Sequence, residues 1–260
     1  GEEIDFIIEN SKGEILAFID DDAYPGRDWL KNAVRNFSNP EVAAVGGPGV
    51  TPEDDNLRQK ASGLVYSSPL VSGKYVYRYV PKTRMEVDDY PSCNFLIRKS
   101  IVQELGGFKT NFWPGEDTKL CLDITKGLGK KIIYDPMAIV YHHRRNLFLP
   151  HLQQTANYAL HRGYFVKRYP ETSLRINYFI PSAFLLFILA GGILICFFSA
   201  LKLLFFPVVS IYLLLAIIFS INKDPRLFSL KFAGIILTHF TYGFYFIKGL
   251  LSRRLKEEAA

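Results

Sequence analysis

Cysteine is scarce in this chain, with three residues among 260, Cys93, Cys121 and Cys196. Their odd number and lack of paired metal-ligand spacing exclude a disulfide-stapled scaffold and a cysteine-rich zinc module. They read as reduced and packed, as in a cytosolic compartment. Charge is missing from one long stretch: from Tyr178 to Ile221 the only charged side chain is Lys202. Such a run is unsuited to a soluble surface, so two compositional regimes share the chain. A basic-then-apolar leader is also lacking, and the first residue is Gly1 rather than Met, which reads as a fragment. The net charge of +6 is not a nucleic-acid footprint, because much of the excess lies beside apolar segments, at Arg162, Lys167, Arg168, Arg175, Arg253, Arg254 and Lys256. Basic residues there fit an anionic membrane surface, and no nucleic-acid partner is expected.

What is present is organised around Ile15–Pro25. The apolar run from Ile15 to Ile19 reads as a buried strand and ends abruptly in Asp20, Asp21 and Asp22. Three adjacent carboxylates repel one another, so a fold that gathers them at a strand end needs a cation. The alternative is a solvated acidic turn, since Asp22–Pro25 has turn chemistry and Asp28 can cap a following helix. Their place favours the cation, because ligands of open α/β sheets bind beyond the carboxyl ends of strands.

Further along, Asp28–Phe37 reads as an amphipathic helix with Trp29, Leu30, Ala33, Val34 and Phe37 on one face, and Glu41–Gly46 as a second strand. A helix is expected from Pro52–Asp55 to Leu64. Lys74–Arg84 interleaves Tyr75, Tyr77, Arg78, Tyr79, Lys82 and Arg84, which fits sugar or phosphate contacts equally with a mobile loop. Ser92–Arg98 reads as a strand, and Ser100–Phe108 as a helix with a Ser100/Gln103 capping box and Gly106 as C-cap. Glu116 and Asp117 open another helix, ending at Gly127 or Gly129. They serve either as caps, worth ~0.3–1 kcal/mol each, or as a general base, with helix N–H groups keeping the carboxylate pKa low. Strands at Lys130–Tyr134 and Ala138–Tyr141 lead into His142, His143, Arg144 and Arg145, a solvated basic loop or a metal and phosphate grip.

Several of these motifs in this order, namely Ile19–Pro25 with Trp29 and Leu30, Asn94–Phe108, Gly115–Asp117 and Val140–His142, resemble the family 2 inverting glycosyltransferases of the GT-A fold. The resemblance covers residues 11 to 145. It implies an α/β fold, a partial GT-A (Rossmann-like) domain, and a nucleotide-sugar donor. Asp20 and Asp22 resemble the family's Asp-X-Asp motif, with Asp20, Asp22 and His142 around Mg2+ or Mn2+. Asp117 resembles the base that deprotonates the acceptor hydroxyl, while Asp20, Asp21, Asn94, Glu116, Arg144 and Arg145 fall along the donor. A single displacement would invert the anomeric configuration, with no carboxylate nucleophile.

The chain also departs from the family. The usual preceding strand–helix–strand unit with its base-recognising aspartate is not seen, and Asp5 and Ile7 stand where Asn and Gly are usual, so an N-terminally truncated domain is expected, with the activity of the fragment alone left open. The Gln-X-X-Arg-Trp motif of processive synthases is lacking at Gln154–Tyr158, which favours single-sugar transfer. A metal-dependent phosphoesterase and a non-catalytic membrane scaffold with a degenerate domain stand as alternatives.

Residues 1–150 therefore read as the transferase domain and 151–176 as an amphipathic interfacial helix. Residues 177–252 read as transmembrane helices at about 178–198, 203–221 and 232–251, and 253–260 as a polar tail. Basic flanks put the catalytic domain at the cytoplasmic face of a multi-pass protein. Arg253 and Arg254 conflict with a third crossing, which leaves the last segment a span, or a re-entrant or interfacial piece. The expected acceptor is lipid-linked or a polysaccharide, as in bacterial exopolysaccharide-type transferases.

Overall fold

The computed structural model describes Ile8, residues 10–108 and residues 110–258. Asp5, Ile7 and Glu9 lie outside the described residues. The chain forms two compact units: residues up to Glu53 with Tyr77–His143 and the tail from Arg253, and Asp54–Val76 with Arg144–Ser252.

The first unit is built on a mixed sheet of β1 (Ile15–Ile19), β3 (Val42–Gly46), β5 (Met85–Val87), β6 (Asn94–Arg98) and β7 (Lys131–Tyr134), in the order β1-β6-β3-β7-β5. Strand β6 runs antiparallel to both β1 and β3, β3 is parallel to β7, and β5 closes the edge antiparallel to β7. All five residues of β3 are buried, as expected of a strand covered on both faces. A small second sheet, β2-β8-β4, joins β2 (Ala23–Pro25), β8 (Val140–His142) and β4 (Gly49–Val50).

Helix α1 (Trp29–Val34), continued by a 3-10 turn to Ser38, buries Trp29, Ala33 and Phe37 against Val42, Val45, Leu96, Ile133 and Val140. Leu30 and Val34 stay 51% and 44% exposed. The apolar face is thus narrower than the expected five residues, one side chain per turn at spacing four. Arg98 anchors this layer: its guanidinium donates to the carbonyls of Val42 and Phe37 at 2.9 and 2.5 Å and lies over the Phe37 ring. Helix α3 (Lys99–Leu105) begins after Arg98 without a side-chain cap, so the Ser100/Gln103 box does not form. Its end is as expected, with Gly106 left-handed at φ 69°.

In the second unit, α2 (Leu57–Tyr66) starts later than expected because Asn56 is the cap. Its side chain accepts from Arg58 N and Gln59 N, and Gln59 returns a bond to Asn56 N. The long helices of this unit are α5 (Leu149–Arg168), α6 (Ile176–Phe197), α7 (Lys202–Ser220) and α8 (Pro225–Leu251), while α4 (Glu116–Leu122) belongs to the first unit. Among the described residues, three helices are long and apolar enough to cross a membrane, Ile176–Phe197 and Ser199–Ser220 at mean hydropathy 2.5 and 2.6, and the last at 1.2. The last is one continuous helix of 27 residues.

Helix α8 packs along α5, α6 and α2. Glycine makes the approach close: a Cβ on Gly163 would strike the Phe246 carbonyl oxygen, and one on Gly249 the Leu160 carbonyl oxygen. The polar groups that weaken α8 as a span are turned onto protein partners. Thr238 Oγ1 lies 2.9 Å from His151 Nε2, whose Nδ1 lies 2.7 Å from Ser62 Oγ. His239 joins Tyr212 OH and the Leu70 carbonyl, both at 3.0 Å. Inside a bundle such pairing replaces the water that each group would otherwise need.

Candidate active site

Two ladders assemble the site. Ile19 pairs with Asn94 across β1 and β6, so Asp20, one step on, faces Cys93, one step back on the antiparallel partner. A turn closed by Ala23 N–H donating to the Asp20 carbonyl carries the chain into β2, where Ala23 pairs with His142. Asp22 is therefore delivered beside the imidazole, and its own carbonyl accepts from His143 N–H at 3.0 Å. Four side chains from three separate segments meet at the sheet's carboxyl end.

His142, 9% exposed, places Nε2 2.8 Å from Asp22 Oδ1 and 3.8 Å from Asp20 Oδ2. Asp22 Oδ1 is closed off from solvent and receives no aligned hydrogen bond despite that short distance. A buried carboxylate oxygen without an aligned hydrogen bond is costly in a fold, and a carboxylate oxygen and an imidazole nitrogen converging this closely suit a shared cation. Carboxylate oxygens with an imidazole nitrogen also form a donor set that divalent Mg2+ and Mn2+ accept. The residues present fit a divalent ion held by Asp20, Asp22 and His142. Asp21, the middle of the triplet, is exposed.

Helix α4 brings the other carboxylates. Gly115 precedes it at φ 133°, a conformation natural to glycine, and its N–H donates to Glu116 Oε2 at 2.9 Å. Thr118 N–H donates to Asp117 Oδ1 at 2.7 Å. Burial, then the charge of Asp117 and more weakly that of Asp20, push Glu116 up to about 7 against the backbone hydrogen bonds that lower it. The expectation that helix N–H groups keep this pair's pKa low does not hold for Glu116, because desolvation outweighs them. The same interactions tie the start of α4 electrostatically to the Asp20 end of the site.

Other expected residues serve the framework. Asn94 is fully buried, accepting from Trp29 Nε1 and donating to the Ala138 carbonyl, both at 2.8 Å, and more weakly to that of Pro48. These bonds join α1, β6 and the approach to β8. Arg144 and Arg145 fall in the second unit, where Arg144 is buried with its N–H 3.5 Å from Asp55 Oδ2 and Arg145 is exposed. In the basic aromatic stretch, Arg78 donates to the Asp89 carbonyl and Arg84 to Asn36 Oδ1, and Tyr77 is buried. These arginines hold the fold.

Cys93 was expected to pack and instead stands at the site. Its Sγ, an Asp20 oxygen and a His142 nitrogen all lie within 4.8 Å of one another. The signal in the sequence is its place one residue before Asn94, which becomes informative only once β6 is paired with β1. Also unforeseen is Asp135, just past β7, held below the usual carboxylate range. Burial alone would raise it, but bonds from Asn36, Met137 N–H and Arg35 prevail.

A mixed sheet whose strand ends gather aspartates and a histidine, with further carboxylates opening a helix nearby, is an α/β core like that of the GT-A glycosyltransferases. Residues 15–247 match the family described as glycosyl transferase family group 2, and the chain belongs to that family. It is 27% identical over 158 residues to the pre-mycofactocin glycosyltransferase of Mycobacterium tuberculosis, covering 61% of this chain and 33% of that protein. It is 24% identical to the dolichyl N-acetyl-alpha-D-glucosaminyl phosphate 3-beta-D-2,3-diacetamido-2,3-dideoxy-beta-D-glucuronosyltransferase of Methanococcus voltae, covering 70% of this chain and 56% of the other. The chain thus spans about a third to just over half of these curated relatives. Among solved structures, the mannosyltransferase PcManGT of Pyrobaculum calidifontis, in complex with GDP-Man and Mn2+, aligns at TM-score 0.49 and 18% identity over 97% of this chain and 67% of that one.

Proposed function

We propose that the protein is a metal-dependent inverting glycosyltransferase, moving a sugar from a nucleotide-sugar donor to a lipid-linked or polysaccharide acceptor at the cytoplasmic face of a membrane. The observation that carries this is the orphaned Asp22 Oδ1 facing His142 Nε2 at 2.8 Å, beside Asp20 and next to a helix opened by Glu116 and Asp117. Family membership supports the reaction class. The name of the Methanococcus relative supports a lipid-linked acceptor, and three apolar helices support a multi-pass anchor. Residues 1–150 are assigned to transfer, 151–176 to the membrane interface and 177–252 to the spans.

Asp20, Asp22 and His142 would hold the divalent ion, which when bound supplies positive charge to the departing diphosphate. Asp117 takes the proton of the acceptor hydroxyl as that oxygen attacks the anomeric carbon and the bond to the diphosphate breaks. The Thr118 N–H donating to Asp117 Oδ1 holds the carboxylate's orientation. Glu116, raised to about 7, takes up part of the local negative charge as a proton, which limits repulsion between this pair and Asp20. Asp21, the exposed middle carboxylate, is assigned to the donor.

The test is release of nucleoside diphosphate from a panel of nucleotide sugars by membranes carrying the protein, with and without Mn2+ or Mg2+. Release from one donor is expected, lost on chelation and reduced by about 10²–10⁴-fold in Asp117→Asn, the usual worth of a positioned base. Unchanged function in Asp117→Asn would instead mark a scaffold.

A further inference from the structure

Cys93 stands at the carboxylate–imidazole centre, although the transfer reaction itself asks nothing of a thiol. Its Sγ, one Asp20 oxygen and one His142 nitrogen lie within 4.8 Å of one another. Ligand atoms so spaced can all reach one ion at bond lengths of roughly 2.0–2.6 Å. The placement follows from the β1–β6 register and is fixed by the buried Asn94 next in sequence, whose amide is committed to Trp29 and Ala138. The other two thiols are elsewhere. Cys121 is buried and bonded to Tyr90, and Cys196 lies exposed on the apolar α6 with its sulfur bonded to the Gly192 carbonyl.

We propose that Cys93 is a ligand of the divalent ion, giving the site a mixed oxygen, nitrogen and sulfur donor set that selects Mn2+ over Mg2+ and takes Zn2+ or Cd2+ more tightly still. The inference rests on the metal-dependent reading above. Mg2+ is a hard ion that keeps oxygen ligands and much of its water, whereas a thiolate favours softer ions. On binding, the thiol gives its proton to solvent and the sulfur lone pair forms the bond to the metal, with no change in oxidation state. A second aspartate oxygen, Asp22 Oδ1, completes a set of four ligand atoms drawn from three segments.

The experiment is metal binding to the full chain in detergent, without donor or acceptor. Cd2+ titration should develop the ultraviolet thiolate-to-metal charge-transfer band in the wild type and in the double variant Cys121→Ala/Cys196→Ala, but not in Cys93→Ser. Mn2+ binding, followed by the electron paramagnetic resonance of the free ion with Mg2+ as competitor, should persist in Cys93→Ser with its preference over Mg2+ lowered by on the order of tenfold, at least what loss of an outer partner costs. In the wild type, Mn2+ should protect Cys93 but not Cys196 from maleimide alkylation, read by mass spectrometry; this arm needs no variant to fold. A band that survives in Cys93→Ser, an unchanged Mn2+/Mg2+ preference, or alkylation of Cys93 indifferent to Mn2+ overturns the ligand role and leaves the metal-dependent reading intact. If Mn2+ does not bind the wild type, or binds Asp22→Asn equally well, the metal-dependent reading fails and this proposal with it.

Discussion

His151 sits fully buried between Ser62 and Thr238, with the Tyr66 ring 4.5 Å away. Burial pushes its pKa from 6.5 down to about 4, because the neutral ring suits this pocket and the cation does not. The stability it contributes is present above pH 6.5 and lost as pH falls from there toward 4, since over that window the unfolded chain binds the proton first. The full loss is on the order of 3 kcal/mol. Glu116 works in the opposite sense: its raised pKa favours the folded state at low pH and that advantage is lost as pH rises through about 7. Thermal unfolding in detergent from pH 7.5 to 5, compared between wild type and His151→Gln, separates the two. The difference between the proteins should shrink steadily toward pH 5, and a difference independent of pH would show that the ring's protonation is not the cause.

Among the elements, glycines decide how closely helices meet. Gly249→Ala would drive a methyl into the Leu160 carbonyl, so it should cost about 1–3 kcal/mol as an overpacked contact. Gly192→Ala in α6, where nothing lies within 4 Å of the added carbon, should be neutral or stabilising by roughly 0.5–1 kcal/mol. Unfolding temperatures in one detergent compare the pair. Legible from the residues alone are the elements whose signal is local: β1 as an apolar run ending in carboxylates, the stop at Gly106, and the apolar helices. Strand β2 is not legible, because Ala23–Pro25 has turn composition and becomes a strand only by pairing with β8. The same holds within the site. Asp20, Asp22 and His142 declare themselves by type and motif, whereas the nearness of Cys93 depends on a register between distant strands, and the raised pKa of Glu116 on burial that no spacing encodes.

For the molecule as a whole, the apolar helices are structural partners of the rest of their own unit. Helix α8 packs on α5 and α2, and Ala61, Val65 and Leu147 share one cluster with Ala216 and Ile235. A variant ended after Arg175 should therefore not release a sound soluble protein. It should expose that cluster and aggregate, as size-exclusion chromatography would read, whereas the full chain should stay in the membrane pellet after an alkaline carbonate wash. A monodisperse, folded product from the truncated variant would contradict this packing.

The second unit takes one piece, Asp54–Val76, from the middle of the first, so the chain crosses between them repeatedly. During synthesis α2 leaves the ribosome long before α8 exists. Its apolar face must wait, uncovered, while Tyr77–His143 of the first unit, the amphipathic helix and two apolar helices are translated. Assembly of the second unit therefore waits for α8, and a ribosome that stalls anywhere before Leu251 leaves a nascent chain exposing the surface that chaperones and proteases recognise.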